Sequence, residues 1–233
     1  MAEPKLRIAE IFSSIQGEGV WCGVPSIFVR ISGCNMRCVW CDTPYASWNP
    51  EGPTMALAEI LEKVAASNVA HVVITGGEPM LFDPVVDLAQ SISEQGKRIT
   101  IETAGTVFRQ VACDLMSISP KLGNSTPPEE SGWRSRHEHA RLDRAPLVEL
   151  MNEYDCQLKF VVNPEAGGDL EEIEELLTYV PRIDPSRVLL MAEGTDSETL
   201  NRRMRLLAPL CMERNWRLTP RMHVDLFGNT KGT

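Results

Sequence analysis

The stretch SIFVRISGCNMRCVWCDT, residues 26–43, runs from an apolar strand pattern into a group of cysteines. Residues 26–32 are rich in β-branched and aromatic residues, and this composition favours a β-strand. Gly33 then opens a loop in which three cysteines lie within eight residues of one another. These cysteines are Cys34, Cys38 and Cys41. Cysteines grouped this closely indicate a metal site or a catalytic site.

The spacing C-x3-C-x2-C favours an iron–sulfur cluster over zinc. Structural zinc sites prefer four protein ligands, and the sequence has no second C-x2-C pair and no H-x3-H pair. Cubane iron–sulfur clusters are held by thiolates, usually four. Three thiolates would bind three irons and leave the fourth iron open for a cofactor or a substrate. A zinc site with a distant fourth ligand, or three unpaired thiols, are the alternatives.

The remaining sequence alternates strand patterns with helical patterns. Strands are predicted at 26–32, 71–75, 98–103, 115–119, 157–162 and 187–191. Apolar residues with helical period separate several of these strands, and Asp169 with Glu172 predicts a capping box at the start of one helix. This alternation indicates an α/β fold with a parallel sheet, either a barrel or a doubly wound sheet. In both folds the chemistry lies at the carboxyl ends of the strands.

Residues 123–144 interrupt this alternation. The segment is polar and charged and contains paired prolines, so it predicts a long loop that is either a mobile lid or a floppy connection. His137 and His139 are predicted to be solvated residues of this loop with no metal role. The length of 233 residues predicts a single domain over residues 1–233.

Composition and charge restrict the classes of partner. The net charge of −9 disfavours binding to nucleic acid, because an acidic chain repels phosphate backbones. No apolar run approaches the ~18 residues of a membrane span, and the first residues carry no signal peptide pattern. We therefore expect a cytoplasmic protein with reduced thiols and no membrane partner. The dispersed cysteines are predicted to be buried or half-buried small side chains: Cys22, Cys113, Cys156 and Cys211.

A second motif stands at the end of the second predicted strand. Residues 71–79 read HVVITGGEP. Glycines let the backbone approach a ligand closely, and exposed carbonyls together with the carboxylate of Glu78 would suit an ammonium group. With Trp40 just before the last cysteine, the two motifs resemble those of the radical S-adenosylmethionine (SAM) superfamily. The resemblance implies that the open iron of a 4Fe–4S cluster chelates SAM, which is cleaved to a 5′-deoxyadenosyl radical.

Further stretches resemble one family within this superfamily, the 7-carboxy-7-deazaguanine synthases. The resemblance covers nearly the whole chain: IFSSIQGEG (11–19), FVRISGCNMRCVWCDT (28–43), ITGGEP (74–79), IETAGT (101–106), ISPK (118–121), LKFVV (158–162) and HVDLFGNTKGT (223–233). It implies a trimmed, partial (βα)6 radical SAM barrel with a parallel sheet. It also implies a lyase reaction in which 6-carboxy-5,6,7,8-tetrahydropterin loses ammonia and becomes 7-carboxy-7-deazaguanine, a step of queuosine and 7-deazapurine biosynthesis.

The mechanism implied by this resemblance starts with abstraction of hydrogen from C6 of the pterin. The hydrogen is later returned, so SAM is used catalytically, and Mg²⁺ assists. The resemblance also implies a homodimer and an electron donor such as flavodoxin or ferredoxin. The polar segment 123–144 matches no fixed pattern of the family. Some family members present a C-terminal carboxylate to the substrate, and this contact is not assumed for a chain that runs on to Thr233.

Site residues follow from the resemblance where the motifs match. Cys34, Cys38 and Cys41 would hold the 4Fe–4S cluster, and Thr43 would give its hydroxyl oxygen to Mg²⁺. SAM would be bound by Trp40, Cys41, Asp42, Gly77, Glu102, Ser119, Pro120 and Lys121. The pterin would be bound by Ile15, Gln16, Gly17, Glu18, Arg30, Thr75 and His223.

Arg30 is also suggested by physical reasoning, because it is a charge in an otherwise apolar strand. An unpartnered buried arginine is unfavourable, so a bidentate clamp on the substrate carboxylate is attractive, and an arginine that faces solvent at a strand end is the alternative. Two other functions are kept open for the whole chain. One is a small radical SAM activase that acts on a protein glycine, and the other is a non-enzymatic iron–sulfur or zinc protein.

Overall fold

The structure is a computed structural model that describes residues 3–233. Over these residues one sheet has nine strands: β1 Lys5–Ile15, β2 Pro25–Ile31, β3 Thr54–Ala56, β4 His71–Gly76, β5 Arg98–Thr103, β6 Leu115–Ile118, β7 Cys156–Val162, β8 Val188–Ala192 and β9 Arg217–Thr219. The α-helices are α1 Leu57–Ala65, α2 Pro84–Glu94, α3 Arg134–Leu142, α4 Ala145–Glu153, α5 Asp169–Tyr179, α6 Ser197–Arg214 and α7 Met222–Phe227.

The sheet is mostly parallel and does not close. Its strand order is β3-β1-β2-β4-β5-β6-β7-β8-β9, and every neighbouring pair from β2 to β9 is parallel. β1 pairs antiparallel with β2 and with β3. This arrangement confirms the α/β prediction and is consistent with a trimmed barrel. All six predicted strands exist, as β2 and β4 to β8, whereas β1, β3 and β9 were not predicted.

Burial explains why these segments form strands. Every residue of β7 and β8 is buried, as expected for parallel strands that are covered on both faces. β1 was not predicted because only Leu6 and Ile8 show the alternating burial of a strand. Its later residues are mostly half-buried. Helices α1 and α2 turn an apolar stripe to the sheet, as their periodicity indicates.

The prediction of a long loop over 123–144 is wrong. This segment contains 3₁₀ turns at Gly123–Ser125 and Glu129–Ser131, followed by α3 and the start of α4. The segment has few apolar residues because α3 is held by polar contacts and turns its other faces to solvent. His137, which was expected to be solvated, is fully buried, whereas His139 is exposed.

The predicted capping box at Asp169 is also wrong. The helix α5 starts after Gly168, and both carboxylates bind other elements. The Oδ2 atom of Asp169 accepts hydrogen bonds from the backbone of Asn163 at 2.8 Å and from the side chain of Asn124 at 2.9 Å. Glu172 bonds to Gly123 and Arg141. Tertiary partners therefore replace the local cap.

No helix among residues 3–233 has the length and apolar content that a membrane span requires. The dispersed cysteines behave as predicted: Cys156 and Cys211 are buried, and Cys22 and Cys113 are half-buried. None of the seven cysteines forms a disulfide in the described part of the chain.

Candidate functional site

One cavity lies at the carboxyl ends of the parallel strands, and the predicted site residues meet there. Every residue predicted to bind the cluster, SAM, Mg²⁺ or the pterin lines this cavity, with the exception of Pro120, which is buried beside it. The residues come from β1, β2, β4, β5 and α7 and from the segments between them. Their individual roles remain predictions, but their convergence is a property of the fold.

The cysteine loop is fixed to the end of β4 by backbone contacts. Gly77 donates to the carbonyl of Ile31 at 3.0 Å, and Glu78 donates to the carbonyl of Gly33 at 2.9 Å. Gly33 in turn donates to the carbonyl of Ala46 at 2.8 Å. A Cβ atom on Gly77 would lie 2.2 Å from the Gly33 oxygen. A glycine is therefore required where the loop passes over the strand end.

Glu78 does not face the cavity, so its suggested role beside the ammonium of SAM is wrong. Its side chain is fully buried. The carboxylate accepts hydrogen bonds from the Thr103 hydroxyl at 2.8 Å, from Ala104 N at 2.7 Å and from Met80 N at 3.1 Å. Burial raises its pKa, although these hydrogen bonds act in the opposite direction. Glu78 therefore ties the end of β4 to the end of β5.

The three cysteine thiols fit the requirements of an iron–sulfur cluster. All three are free and line the cavity. The Cys34 sulfur accepts from Met36 N at 3.4 Å, and the Cys41 sulfur lies 3.1 Å from the Ser47 hydroxyl. Burial, with the nearby Glu78 carboxylate as the next cause, raises the pKa of Cys34 to about 12. A cationic group is needed to keep such a thiol deprotonated, and the iron of a cluster is such a group.

A cluster and a single metal ion make different demands on the geometry of their ligands. Among residues 3–233 no three His, Cys, Asp or Glu side chains are arranged around one ion. A cubane does not require that arrangement, because each thiolate binds a different iron. The three thiols can therefore each bind one iron of a cluster.

The segment 123–137 supports the cysteine loop from behind. Arg37 N donates to Nδ1 of His137 at 3.1 Å, and Nε2 of His137 lies 2.9 Å from the Ser125 hydroxyl. The Arg37 guanidinium stacks 3.8 Å from the ring centre of Trp133. These contacts explain why His137 is buried and why a polar segment is ordered here.

The predicted SAM side of the cavity is organised by Trp40 and Lys121. The indole N–H of Trp40 donates to Asn124 at 3.1 Å, which fixes the plane of the ring. Lys121 donates to the carbonyl and hydroxyl oxygens of Ser119 at 2.7 and 2.8 Å, and its Nζ lies 5.7 Å from the Trp40 ring centre. The residues Met191, Glu193 and Gly194 also line this cavity.

A chain of alternating charges crosses the floor of the cavity. In order it consists of Asp42, Arg221, Glu18, Lys159 and Glu102. Burial alone would raise the pKa of Glu18, but the ion pairs with Lys159 and Arg221 outweigh it and hold that pKa well below its usual range. Burial would lower the pKa of Lys159, but its ion pairs with Glu102 and Glu18 outweigh burial and hold that pKa above its usual range. Glu18 and Lys159 are therefore both charged near neutral pH.

Lys159 and Arg221 were missed by the sequence analysis. Lys159 is a charge within the apolar strand β7, which is the same signal that identified Arg30 in β2. Arg221 precedes the short helix α7 and gives no comparable signal, since only the fold brings it to Asp42 and Glu18.

Arg30 also lines the cavity and is partly committed to a carboxylate of the protein. Its Nε donates to Glu10 at 2.6 Å, and the Tyr45 hydroxyl donates to the same oxygen at 2.6 Å. Among the described residues the Nη atoms of Arg30 make no hydrogen bond, and the side chain is 16% exposed at the cavity. The fork of this guanidinium can therefore receive an anion.

The C-terminal part of the chain covers one side of the cavity. Met222 N donates to the carbonyl of Gly17 at 3.0 Å, and a Cβ on Gly17 would lie 2.2 Å from Nδ1 of His223. Burial lowers the pKa of His223, so its imidazole is neutral near pH 7. Asn229, Thr230 and Thr233 also line the cavity.

Comparisons with known proteins point in one direction. Residues 28–123 match the Radical SAM superfamily. The chain is 44% identical to the 7-carboxy-7-deazaguanine synthase of Halobacterium salinarum, with 99% of this chain and 93% of that protein covered. It is 42% identical to the 7-carboxy-7-deazaguanine synthase of Rhodopirellula baltica, with 100% and 90% covered. The fold is similar to that of QueE from Escherichia coli, with a TM-score of 0.69, 26% identity and coverage of 94% and 95%.

Both relatives exceed 40% identity and cover 99–100% of this chain. The chain therefore belongs to the 7-carboxy-7-deazaguanine synthase family of radical SAM enzymes.

Proposed function

We propose that this enzyme converts 6-carboxy-5,6,7,8-tetrahydropterin to 7-carboxy-7-deazaguanine with release of ammonia. The observation that carries the proposal is the convergence of the predicted cluster, SAM and pterin residues on one cavity. The names of the relatives give the product. The product would serve the biosynthesis of queuosine or other 7-deazapurines.

Cys34, Cys38 and Cys41 would hold the 4Fe–4S cluster. With SAM bound, this cofactor would supply the radical chemistry needed for hydrogen transfer at C6 of the pterin. Trp40 offers a fixed ring for the adenine, and Lys121 stays close to it. The tail residues Asn229, Thr230 and Thr233 would border the bound ligands.

Glu18 and Arg30, which both line the cavity, would orient the pterin. The ionised carboxylate of Glu18 accepts hydrogen bonds from a guanine-like edge, since each of its oxygens keeps a lone pair besides the one used by Arg221 or Lys159. The free fork of Arg30 would bind the 6-carboxylate in a bidentate manner. Thr75 at the end of β4 and the neutral imidazole of His223 would complete the contacts.

Mg²⁺ would bind at Thr43, which lines the cavity beside Asp42. A single neutral oxygen is a weak ligand, so substrate oxygens and waters would complete an octahedron. Cluster reduction would come from an acidic carrier such as flavodoxin or ferredoxin, and the active species would be a homodimer. These three assignments rest on the family alone.

Anaerobic turnover tests the proposal. The reconstituted enzyme would be mixed with SAM, dithionite, Mg²⁺ and 6-carboxytetrahydropterin, and products would be followed by mass and absorbance. We expect 7-carboxy-7-deazaguanine with the wild type and none with Cys38→Ala. If 5′-deoxyadenosine formed without deazaguanine, the substrate assignment would be wrong. The activase that acts on a protein glycine would then be the better hypothesis. If neither formed in protein with a full cluster, the proposal would fail altogether.

A further inference from the structure

Four residues on the floor of the cavity form a closed ring of hydrogen bonds. Lys159 Nζ donates to Glu18 and, at 3.2 Å, to Glu102. The second oxygen of Glu102 accepts from the side-chain amide of Gln16 at 3.1 Å. The amide oxygen of Gln16 accepts from the backbone N–H of Glu18 at 3.2 Å and so closes the ring.

Lys159 is the cation of this ring and its most enclosed member. Its side chain is 3% exposed, against 11% for Glu18 and 23% for Glu102. A buried ammonium is tolerated only when its charge is compensated, and the two carboxylates provide that compensation. The lysine extends from β7, an inner strand that is buried throughout, whereas Glu18 sits in a turn and Glu102 near the end of β5.

The members of the ring belong to different binding sites. Gln16 and Glu18 are assigned to the pterin and Glu102 to SAM, although no role has been assigned to Lys159. We propose that Lys159 is a positioning residue that couples SAM binding to substrate binding by holding Glu18 and Glu102 through one ammonium group. This inference rests on the proposed function, because it uses the ligands assigned there.

Coupling of this kind is reciprocal. When SAM orders Glu102, the ammonium of Lys159 and the amide of Gln16 are fixed as well. Gln16 and Glu18, which are assigned to the pterin, are then ordered before the pterin binds. The pterin must then improve the affinity for SAM by the same factor by which SAM improves the affinity for the pterin. Allosteric coupling commonly amounts to about 5- to 150-fold in affinity, and we expect about tenfold for a bridge of one buried cation.

Calorimetric titration of the cluster-loaded enzyme without a reductant tests the inference, because both ligands can bind and no turnover occurs. Dissociation constants for SAM and for 6-carboxytetrahydropterin would be measured separately and then each with the other ligand saturating. The wild type should show equal factors of about tenfold in both directions. In Lys159→Met both factors should fall close to one. A variant that keeps the wild-type factor would overturn the inference.

Three further variants serve as a control and as independent tests of the role of Lys159. Lys97→Met is the matched control, because Lys97 donates only to the carbonyls of Ser67 and Val69 and lies outside the cavity. It should keep the wild-type coupling. Glu102→Gln breaks the same ring at a more exposed residue, so it should also lose the coupling. It serves as the test if Lys159→Met does not fold. The double variant combines Lys159→Met with Glu102→Gln. Its loss of SAM affinity should be smaller than the two single losses combined, because the carboxylate of Glu102 is no longer left without its ammonium partner.

Failure of the proposed function gives a different pattern. If the wild type binds SAM but not the pterin, the substrate assignment is wrong. The SAM titrations alone then decide on Lys159: an affinity about tenfold weaker in Lys159→Met, rescued in part by Glu102→Gln, supports its positioning role. Unchanged SAM affinity in Lys159→Met would reject it.

Discussion

Gly77 lets the cysteine loop pack against the end of β4, because a glycine has no Cβ atom. A Cβ atom there would lie 2.2 Å from the carbonyl oxygen of Gly33 and 2.6 Å from that of Ala46, and both are backbone atoms that cannot rotate away. We expect Gly77→Ala to lower the free energy of unfolding by about 1–3 kcal/mol and to reduce the iron bound per protein. Urea denaturation and iron analysis after reconstitution measure both effects.

Gly123→Ala is the control for this change. Its Cβ would meet only the ends of two flexible side chains, Glu172 at 3.3 Å and Arg141 at 3.8 Å, and the backbone there is not left-handed. The control should keep wild-type iron content. Full iron content and wild-type stability in Gly77→Ala would show that the loop is not pressed against the strand end.

The guanidinium of Arg30 gives a second prediction at this scale. Its Nε is held by Glu10, so its two Nη atoms are the groups available to a carboxylate. Arg30→Lys keeps the charge beside Glu10 but loses the fork. We expect kcat/KM for 6-carboxytetrahydropterin to fall about 10- to 100-fold, the value of one or two charge-assisted hydrogen bonds.

An analogue without the carboxylate distinguishes this clamp from general damage. 5,6,7,8-Tetrahydropterin should inhibit the wild type and Arg30→Lys with similar inhibition constants, because it offers nothing to the fork. A large loss with this analogue as well would mean that Arg30 shapes the cavity and does not bind the carboxylate.

Individual residues could be predicted where a motif or a physical anomaly marked them. Cys34 and Gly77 stand in motifs, and Arg30 is a charge in an apolar strand. Lys159 carries the same anomaly and could have been found by the same reasoning. Arg221 could not, because its partners Asp42 and Glu18 are about 180 and 200 residues away in sequence and only the sheet brings them together.

Among the elements, α3 differs most from expectation. A polar segment with paired prolines normally predicts a loop, because helices in soluble proteins are recognised by an apolar stripe. In α3 the buried position is occupied by His137, which satisfies both of its ring nitrogens through polar groups of the chain. Periodicity of apolar residues cannot reveal a helix whose inner face is polar.

His137 and His139 provide a matched pair that tests the role of this helix. Removal of the buried imidazole in His137→Ala leaves the N–H of Arg37 and the hydroxyl of Ser125 without this partner. We expect a loss of about 1–3 kcal/mol in the free energy of unfolding, together with less iron per protein after reconstitution.

His139→Ala changes an exposed side chain on the same helix. It should stay within about 0.5 kcal/mol of the wild type and bind the cluster normally. Equal behaviour of the two variants would mean that α3 does not support the cysteine loop.

On the scale of the whole molecule, the candidate site and a buried polar group that affects stability lie at opposite edges of the parallel sheet. Its carboxyl edge carries the cavity, and its amino edge carries a buried polar group of a different kind. There His71 lies between the Ser26 hydroxyl, 2.6 Å from Nδ1, and the Thr100 hydroxyl, 2.9 Å from Nε2, with the edge of Trp21 packed against the ring. Parallel order made the location of the active edge predictable, but no sequence signal marked this histidine.

The titration of His71 leads to a prediction of stability against pH. Burial, and after it the charge of Arg98, lower its pKa to about 4, while Asp114 acts weakly in the opposite direction. The unfolded chain has a histidine pKa near 6.5, so between these values it binds more protons than the folded protein. Stability from this group is complete above pH 6.5 and is lost as the pH falls towards 4.

The expected loss from His71 is on the order of 2 kcal/mol between pH 7.5 and pH 5. Urea denaturation of the wild type and of His71→Asn at both pH values isolates it, since His137 and the carboxylates are unchanged and contribute equally to both proteins. His71→Asn should be less stable at pH 7.5 but should lose less on acidification, because asparagine takes up no proton. Parallel pH dependence in the two proteins would mean that His71 is already charged in the fold or stays accessible to water. Because the histidine is on the edge opposite the cavity, the substitution should also leave the affinity for SAM unchanged, and acid sensitivity of the fold could then be removed without altering the site.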